Sequence, residues 1–298
     1  MAEIECKEIK LTVPWGYVAA RTYGPSTGER VLLVHGHLDN AGSYNRLMKY
    51  LPIGFFYYVC VDLPGHGWSS HFPSWVMLDC MDYAHAIHFI LEALQWKTCI
   101  YIGHSLGAQI GLIFSVFHPH RIKKIISFDG LIRGNNEFNK FVPYLENASA
   151  LSIKASNNIE PIFYTREEVL YAFKTLRFAA LNTEAADALF ERAVTEVNGK
   201  YKYNRDIRLK KNPFMFISMD QAHEFNCRLS IPIYVFVPSK GFISKYEDVI
   251  TSIEKTLNSK TILKVINIEG NHDCHNNDPK NVAPFVCKIL TSRNSSKL

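Results

Sequence analysis

Cys99-Ile100-Tyr101-Ile102-Gly103-His104-Ser105-Leu106-Gly107-Ala108 is the stretch from which the rest of the chain is read. An apolar run ends in Gly-His-Ser-Leu-Gly, and a helix-compatible pattern continues over residues 108–117. Strand, sharp turn and helix therefore meet at Ser105. A turn this tight leaves no room for a Cβ at Gly103 and Gly107, and it holds the serine hydroxyl exposed above the sheet, beside a helix N-terminus. So short a motif recurs by chance. Its weight comes from the strand before it and the helix after it.

Strand and helix alternate outward from this elbow. Upstream, residues 4–13 and 17–23 read as strands around Pro14-Trp15-Gly16, and residues 24–28 as a loop. Residues 31–34 and 56–61 are short, apolar strands suited to a sheet buried on both faces, and 44–51 between them is helix-like. Residues 77–94 have helical spacing, with Leu78, Met81, Ile87, Ile90, Leu91 and Leu94 apolar. Downstream, the strand over 124–128 ends at Asp129-Gly130.

Residues 131–230 then pass without a convincing buried strand. Stretches 166–178 and 183–197 look helical, with Thr183 as the expected cap of the second, and 201–213 is basic and irregular. Alternation resumes with strands over 233–237 and 263–268 and helices over 244–257 and 281–290. The pattern predicts an α/β fold, a mostly parallel sheet covered by helices. Residues 1–130 and 231–298 form its core as one discontinuous domain, and 131–230 a helical insertion.

The chain has 298 residues, 47% hydrophobic and 20% charged, the composition of an ordinary globular protein with room for one large core. Net charge is +5, concentrated only at 205–211 and the tail, so a mildly basic surface is expected and nucleic acid is not an expected partner. The seven cysteines include no C-x-x-C pair, which points to reduced thiols. Met1-Ala2-Glu3-Ile4-Glu5-Cys6 lacks the apolar core of a secretory signal, and no run is long enough to span a membrane. The sequons at Asn147 and Asn294 are therefore expected to stay unmodified. Ser296-Lys297-Leu298 at the C-terminus matches a peroxisomal address. The expected location is the peroxisome, with the cytoplasm in addition, and the expected partner is the import receptor. The alternative is a chance tripeptide on a frayed tail.

Open parallel sheets bind ligands beyond the carboxyl ends of their strands. Those ends carry His35-Gly36-His37, Asp62, Ser105, Asp129 and His272. A serine hydroxyl needs a base to become a nucleophile. Of the twelve histidines, His272 is the first choice, because it follows the last strand in a Gly-Asn-His turn; His275 is the nearest rival. His104 adjoins Ser105 and is expected to pack under the turn. His66 reads as structural, and His85, His88, His118 and His120 as packing or surface residues. His272-x-x-His275 lacks the further ligands of a zinc site, so no metal or other cofactor is expected.

Taken in order, His35-Gly36, Asp62-x-Pro64-Gly65-His66-Gly67-x-Ser69, Gly103-His104-Ser105-Leu106-Gly107 and Gly270-Asn271-His272 resemble the α/β-hydrolase superfamily. The match spans roughly residues 31–290 and most resembles the serine hydrolase-like, or kraken-type, branch, whose members are associated with peroxisomes. The four motifs together are specific for the fold and much less so for the substrate. The resemblance implies an eight-stranded sheet with a helical cap, 131–230, between strands six and seven. It implies Ser105 as nucleophile, His272 as general base, and the backbone N–H groups of Leu106 and His37 as oxyanion hole. The His37 side chain, with His104, is assigned to the substrate pocket. Many members place the acid just after strand seven, but residues 237–242 here read Val-Pro-Ser-Lys-Gly-Phe. Asp129, after strand six, is the expected substitute. Its alternative role is to cap a turn with Gly130, and Glu247 or Asp248 would serve only if their loop folded back.

The expected activity is therefore cleavage of a carboxylic ester or thioester of a small-molecule acyl substrate. Phe138, Phe141, Tyr144, Phe163, Tyr164, Phe173 and Phe178 make the cap aromatic enough for an apolar acyl group, although such residues usually pack among themselves. Serine at the elbow argues against dehalogenase or epoxide hydrolase chemistry, which uses aspartate there. The competing reading is a non-catalytic receptor or binding scaffold, supported by Lys240 standing where an acid is common.

Overall fold

The computed structural model describes residues 5–134, 138–157, 160–211, 213, 217–245 and 263–292. In chain order its strands are β1 (Cys6–Val13), β2 (Gly16–Tyr23), β3 (Glu29–Val34), β4 (Phe56–Val61), β5 (Cys99–His104), β6 (Ile122–Phe128), β7 (Val194–Val197), β8 (Lys200–Tyr203), β9 (Ile233–Lys240) and β10 (Leu263–Asn271). Eight of them form one sheet of order β1-β2-β4-β3-β5-β6-β9-β10. β1 and β2 run antiparallel, as do β2 and β4, and every later pair is parallel.

The apolar central strands are explained by their two buried faces. Leu32, Val34, Val59, Val61, Tyr101, Ile125 and Val235 face one core cluster. Their chain neighbours Val31, Leu33, Tyr58, Cys60, Ile100, Ile102, Ile126 and Phe236 face the other. Strand side chains alternate, so a strand covered on both sides has no polar position to show. Helices α2 (Cys80–Ala93) and α3 (Leu106–Phe117) cover the first face, and α8 (Pro279–Thr291) the second; α1 (Asn45–Met48) is a single turn. Asp79 begins α2 with a reciprocal capping box to Asp82.

Between β6 and β9 lie α4 (Phe141–Ala155), α5 (Arg166–Thr175), α6 (Thr183–Ala193), the β7–β8 hairpin and α7 (Met219–Cys227). Three local expectations are corrected here. Asn182, not Thr183, caps α6, its side chain accepting from the Ala185 N–H. That helix stops at Ala193 because Val194 turns extended and begins the hairpin. The basic stretch from residue 201 opens on strand β8 before a 3₁₀ turn over Ile207–Lys210. Most of the helix expected over 244–257, with Glu247 and Asp248, lies outside the described residues, as do Asn294 and Ser296-Lys297-Leu298. None of the seven cysteines forms a disulfide. Among the described residues no helix is long and apolar enough to cross a membrane.

Two arginines fasten the insertion to the rest of the fold. Arg192 of α6, fully buried, donates to Asp62 at 2.8 Å and to Glu8 at 2.8 Å. Arg177, in the connection from α5 to α6, reaches Asp39 at 2.8 Å and Asp273 at 3.0 Å. The Asp62 motif is thereby explained as scaffold. Its carboxylate also accepts from the Ala41 and Trp68 amides, and Ser69 hydrogen-bonds its carbonyl. Asp62 stands at a strand end but takes no part in the cavity described next.

Candidate active site

β5 delivers Ser105 to the carboxyl edge of the sheet. Its backbone sits at φ 50°, ψ −116°, a conformation rare for a residue with a side chain. The turn is held by the Ser105 N–H donating to Phe128 O at 2.9 Å and by Ser105 O accepting from Ala108 and Gln109. A Cβ on Gly103 would stand 2.6 Å from the Ala108 backbone, and one on Gly107 2.2 Å from Val34 O, so only glycine fits at either position.

Ser105, Asp129 and His272 line one cavity of 570 Å³, together with His37, His104, Gln109 and residues of the insertion. Asp129 Oδ2 is 2.5 Å from His272 Nδ1. The loop after β9, whose described residues include no acid, supplies donors: the Phe242 and Ile243 N–H groups reach Asp129 at 2.5 and 2.8 Å. Asp129 itself adopts φ 49° at the end of β6. This close approach requires Gly241, where a Cβ would lie 2.6 Å from Asp129 Oδ2.

Leu106 is the first residue of α3, so its N–H has no acceptor within the helix. His37 borders the same cavity, and its ring Nε2–H donates to Leu209 O at 2.9 Å. Burial, aided by the charges of Arg205 and Arg177 and opposed by the bond to Leu209 and by Asp39, brings the His37 pKa down to about 4. The ring is therefore neutral and pinned by one nitrogen to the insertion.

His104 is placed as expected beneath the turn, and it borders the floor of the cavity. It is fully buried, with Nε2 donating to the His272 carbonyl at 3.0 Å and Nδ1 3.3 Å from Asp39 Oδ2. Burial works against its charge, but Asp39, Asp273 and Asp129 outweigh burial and raise its pKa above the ordinary value. Asp39 is correspondingly held well below the usual carboxylate range: burial opposes ionisation, and Arg177, His104 and His35 overcome it. His275 is not a rival base, because it is buried with its ring 4.3 Å from His104 and stacked on Phe128.

Asp39, His104 and Asp273 present three buried atoms within 4.8 Å of one another, a spacing a metal ion could use. Arg177 already supplies the positive charge between the two carboxylates. The sequence carries little signal of this cluster. Its signals were the carboxylates two residues after His37 and one after His272, but Arg177 comes from a segment with no motif. Of the aromatic residues expected to shape the cavity, Phe173 and Phe178 reach it. Phe141 and Phe163 are exposed, Tyr144 carries Lys211 over its ring, and Tyr164 packs on Tyr203. The Phe138 side chain lies outside the described residues. Phe178 and Phe242 pack edge to face, and Phe178 stands likewise against His272.

A parallel sheet of this order, with a serine elbow at a central strand end and an aspartate–histidine pair beside it, defines the α/β-hydrolase class. The alpha/beta hydrolase fold family matches residues 29–267, and this chain belongs to that family. A serine hydrolase-like protein of Danio rerio is 29% identical over 289 residues, covering 95% of this chain and 88% of that one. A crystal structure of a hypothetical protein from Pseudomonas aeruginosa superposes with a TM-score of 0.82 at 26% identity, covering 95% and 97% of the two chains. A karrikin insensitive 2 receptor of Petunia hybrida is 27% identical, covering 82% of this chain and 84% of its own.

Proposed function

We propose that this protein is a serine hydrolase that transfers the acyl group of a carboxylic ester or thioester to water. The observation that carries the reading is the 2.5 Å contact of Asp129 with His272 Nδ1 at the cavity that also holds the strained Ser105. With Nδ1 engaged, Nε2 of His272 is the nitrogen left to take a proton. Ser105 Oγ attacks the acyl carbon as His272 accepts its proton, and the Leu106 and His37 N–H groups face the developing oxyanion. His272 then returns the proton to the leaving oxygen or sulfur. A water, deprotonated by His272, cleaves the acyl-enzyme to release the acid and restore Ser105.

Residues 131–230 act in this reading as a cap. Phe173, Leu176 and Phe178, with Phe242 of the core, make one part of the cavity apolar and suited to an acyl chain. A fluorophosphonate probe tests the proposal: labelling of the native protein, abolished in Ser105→Ala, is expected. A folded protein that resists labelling would remove the enzyme reading.

A receptor function is the second reading, and the similarity to the petunia receptor favours it. Ligand binding without turnover in a protein whose Ser105 still labels would select it. Peroxisomal import through Ser296-Lys297-Leu298 is also proposed, and deleting those three residues should return a fluorescent fusion to the cytoplasm.

A further inference from the structure

The basic stretch at 205–211 is a concentration of charge that the proposed catalytic roles leave unused. The structure accounts for two of its cations. Arg208 is buried, paired with Asp206 at 2.6 Å and bonded to the carbonyls of Phe72, Pro73 and Val76. Lys211 bonds the Tyr144 carbonyl and lies 3.6 Å above the centre of that ring. Arg205 and Lys210 remain, both exposed, and neither forms an ion pair among the described residues. Arg205 is steadied by the face of Tyr203 at 4.3 Å.

These two cations stand where two cavities meet. Tyr203, Arg205 and Lys210 border the 570 Å³ cavity that holds Ser105, and the same three border a second cavity of 420 Å³ between α4 and β8. Lys202 and His71 add basic groups to the outer cavity. Its carboxylates are Asp206, already held by Arg208, and Glu160. Part of the inner wall is different in kind: Ala172, Phe173, Leu176, Phe178 and Ala179 are apolar. One side of the reaction site thus suits a hydrocarbon, and the other opens past two unpaired cations into a basic cleft.

We infer that the leaving group of the substrate carries an anion, a phosphate or a carboxylate, which Arg205 and Lys210 hold at the entrance to the outer cavity while the apolar acyl chain lies against Phe173 and Phe178. The inference rests on the proposed hydrolase reading for the direction of cleavage. In the step it describes, a bond forms between Ser105 Oγ and the acyl carbon, and the bond from that carbon to the leaving sulfur or oxygen breaks. The proton passes from Ser105 through His272 to the departing atom. Water completes the reaction, giving a carboxylic acid and an anionic thiol or alcohol. Weakly hydrated guanidinium suits either anion, and the cations would also draw it toward the mouth before contact.

Three thioesters with one acyl group and one scissile bond test this. Butanoyl-N-acetylcysteamine is neutral at its leaving group, the butanoyl thioester of 3-mercaptopropionate carries a carboxylate, and butanoyl-coenzyme A carries phosphates. A lower KM for one or both anionic members is expected, and the member preferred identifies the anion. Each of Arg205→Gln and Lys210→Gln should raise that KM about threefold, and the pair about tenfold, an effect that high salt also produces. The neutral thioester should feel these changes much less. Equal KM values across the series, or a preference that survives both substitutions, would overturn the inference. Calorimetric binding of coenzyme A and of 3-mercaptopropionate to Ser105→Ala separates the two proposals. Binding that weakens in Arg205→Gln and Lys210→Gln supports the basic subsite even if no thioester is cleaved, in which case the hydrolase reading alone fails. No binding of either compound, with the neutral thioester cleaved, rejects the subsite and leaves the hydrolase.

Discussion

Asp129 and His272 come from the ends of two strands that are not adjacent, β6 and β10, and meet at 2.5 Å across β9. The strand between them contributes the backbone that makes the meeting possible. Phe242 and Ile243 donate to both oxygens of Asp129, and Gly241 lets their chain approach. The loop after β9 thus forms a socket that holds both oxygens of a carboxylate supplied by the neighbouring strand β6.

Asp129→Asn removes the charge while keeping the size of the side chain. An amide can hold the ring only in the wrong tautomer, or not at all, because the Phe242 and Ile243 N–H groups require acceptors. Acylation by a fluorophosphonate or a p-nitrophenyl ester is expected to slow about 10⁴-fold, with a native circular-dichroism spectrum. A change of less than tenfold would remove Asp129 from the acid role.

Gly241→Ala tests the socket rather than the acid. The added methyl would meet the Asp129 carboxylate at 2.6 Å, so the loop or the carboxylate must shift. Displacement of a catalytic group by about 1 Å costs about a hundredfold. The loss should appear in kcat, with little change in KM, because Gly241 does not itself line the cavity. Full activity in Gly241→Ala would show that the socket is not needed to place Asp129.

The sequence displayed the sheet clearly because both faces of its strands are buried, which leaves a continuous apolar record at β3, β4 and β5. Ser105 was legible because its turn needs glycine on both sides. Asp129 is legible as a candidate because Lys240 stands where an acid is expected. Other parts left no such trace. The β7–β8 hairpin is short and half-exposed, so no apolar alternation separates it from helix α6 or from the basic stretch after it. Arg177 acts through partners 138 and 96 residues away, and no local spacing reports contacts of that kind. Similarly, the aromatic residues of the insertion look equivalent in sequence, but among the described ones expected to shape the cavity only Phe173 and Phe178 border the cavity that holds Ser105.

Acidification should destabilise the fold. His35, His37, His66 and His275 are kept neutral chiefly by burial, with pKa values below the ordinary 6.5. The unfolded chain binds these protons first, so the stability they represent is present above 6.5 and lost as pH falls towards each folded value. For His37, lowered to about 4, the loss amounts to roughly 2 kcal/mol by pH 5. His104, with its pKa raised, works in the opposite sense and stabilises most below 6.5, losing its effect as pH rises through its folded value. One ring against four should leave a net fall. Urea midpoints at pH 7.5 and 5 measure it, and His37→Gln should show a smaller drop than the native protein. Equal midpoints at the two pH values in the native protein would contradict the assignment.

Arg177 is the residue whose loss should reach furthest. Its guanidinium joins Asp39, two residues from the His37 N–H, to Asp273, which follows His272 in the chain, and it enters from the insertion. The loop after β3, the loop after β10 and the insertion are therefore held by one side chain. Arg177→Met leaves two buried carboxylates facing each other without a cation, a defect that costs about 3–5 kcal/mol. Urea denaturation should show this loss. Asp273→Asn in the same molecule should restore part of it, since neighbouring charges couple by about 0.5–3 kcal/mol. A purely structural role would end there, with the folded fraction reacting normally. A positioning role predicts more: even at low temperature, where Arg177→Met is fully folded, acylation should be slower per folded molecule, because Phe178, one residue on, packs 5.5 Å from His272. A normal acylation rate in the folded variant would confine Arg177 to stability.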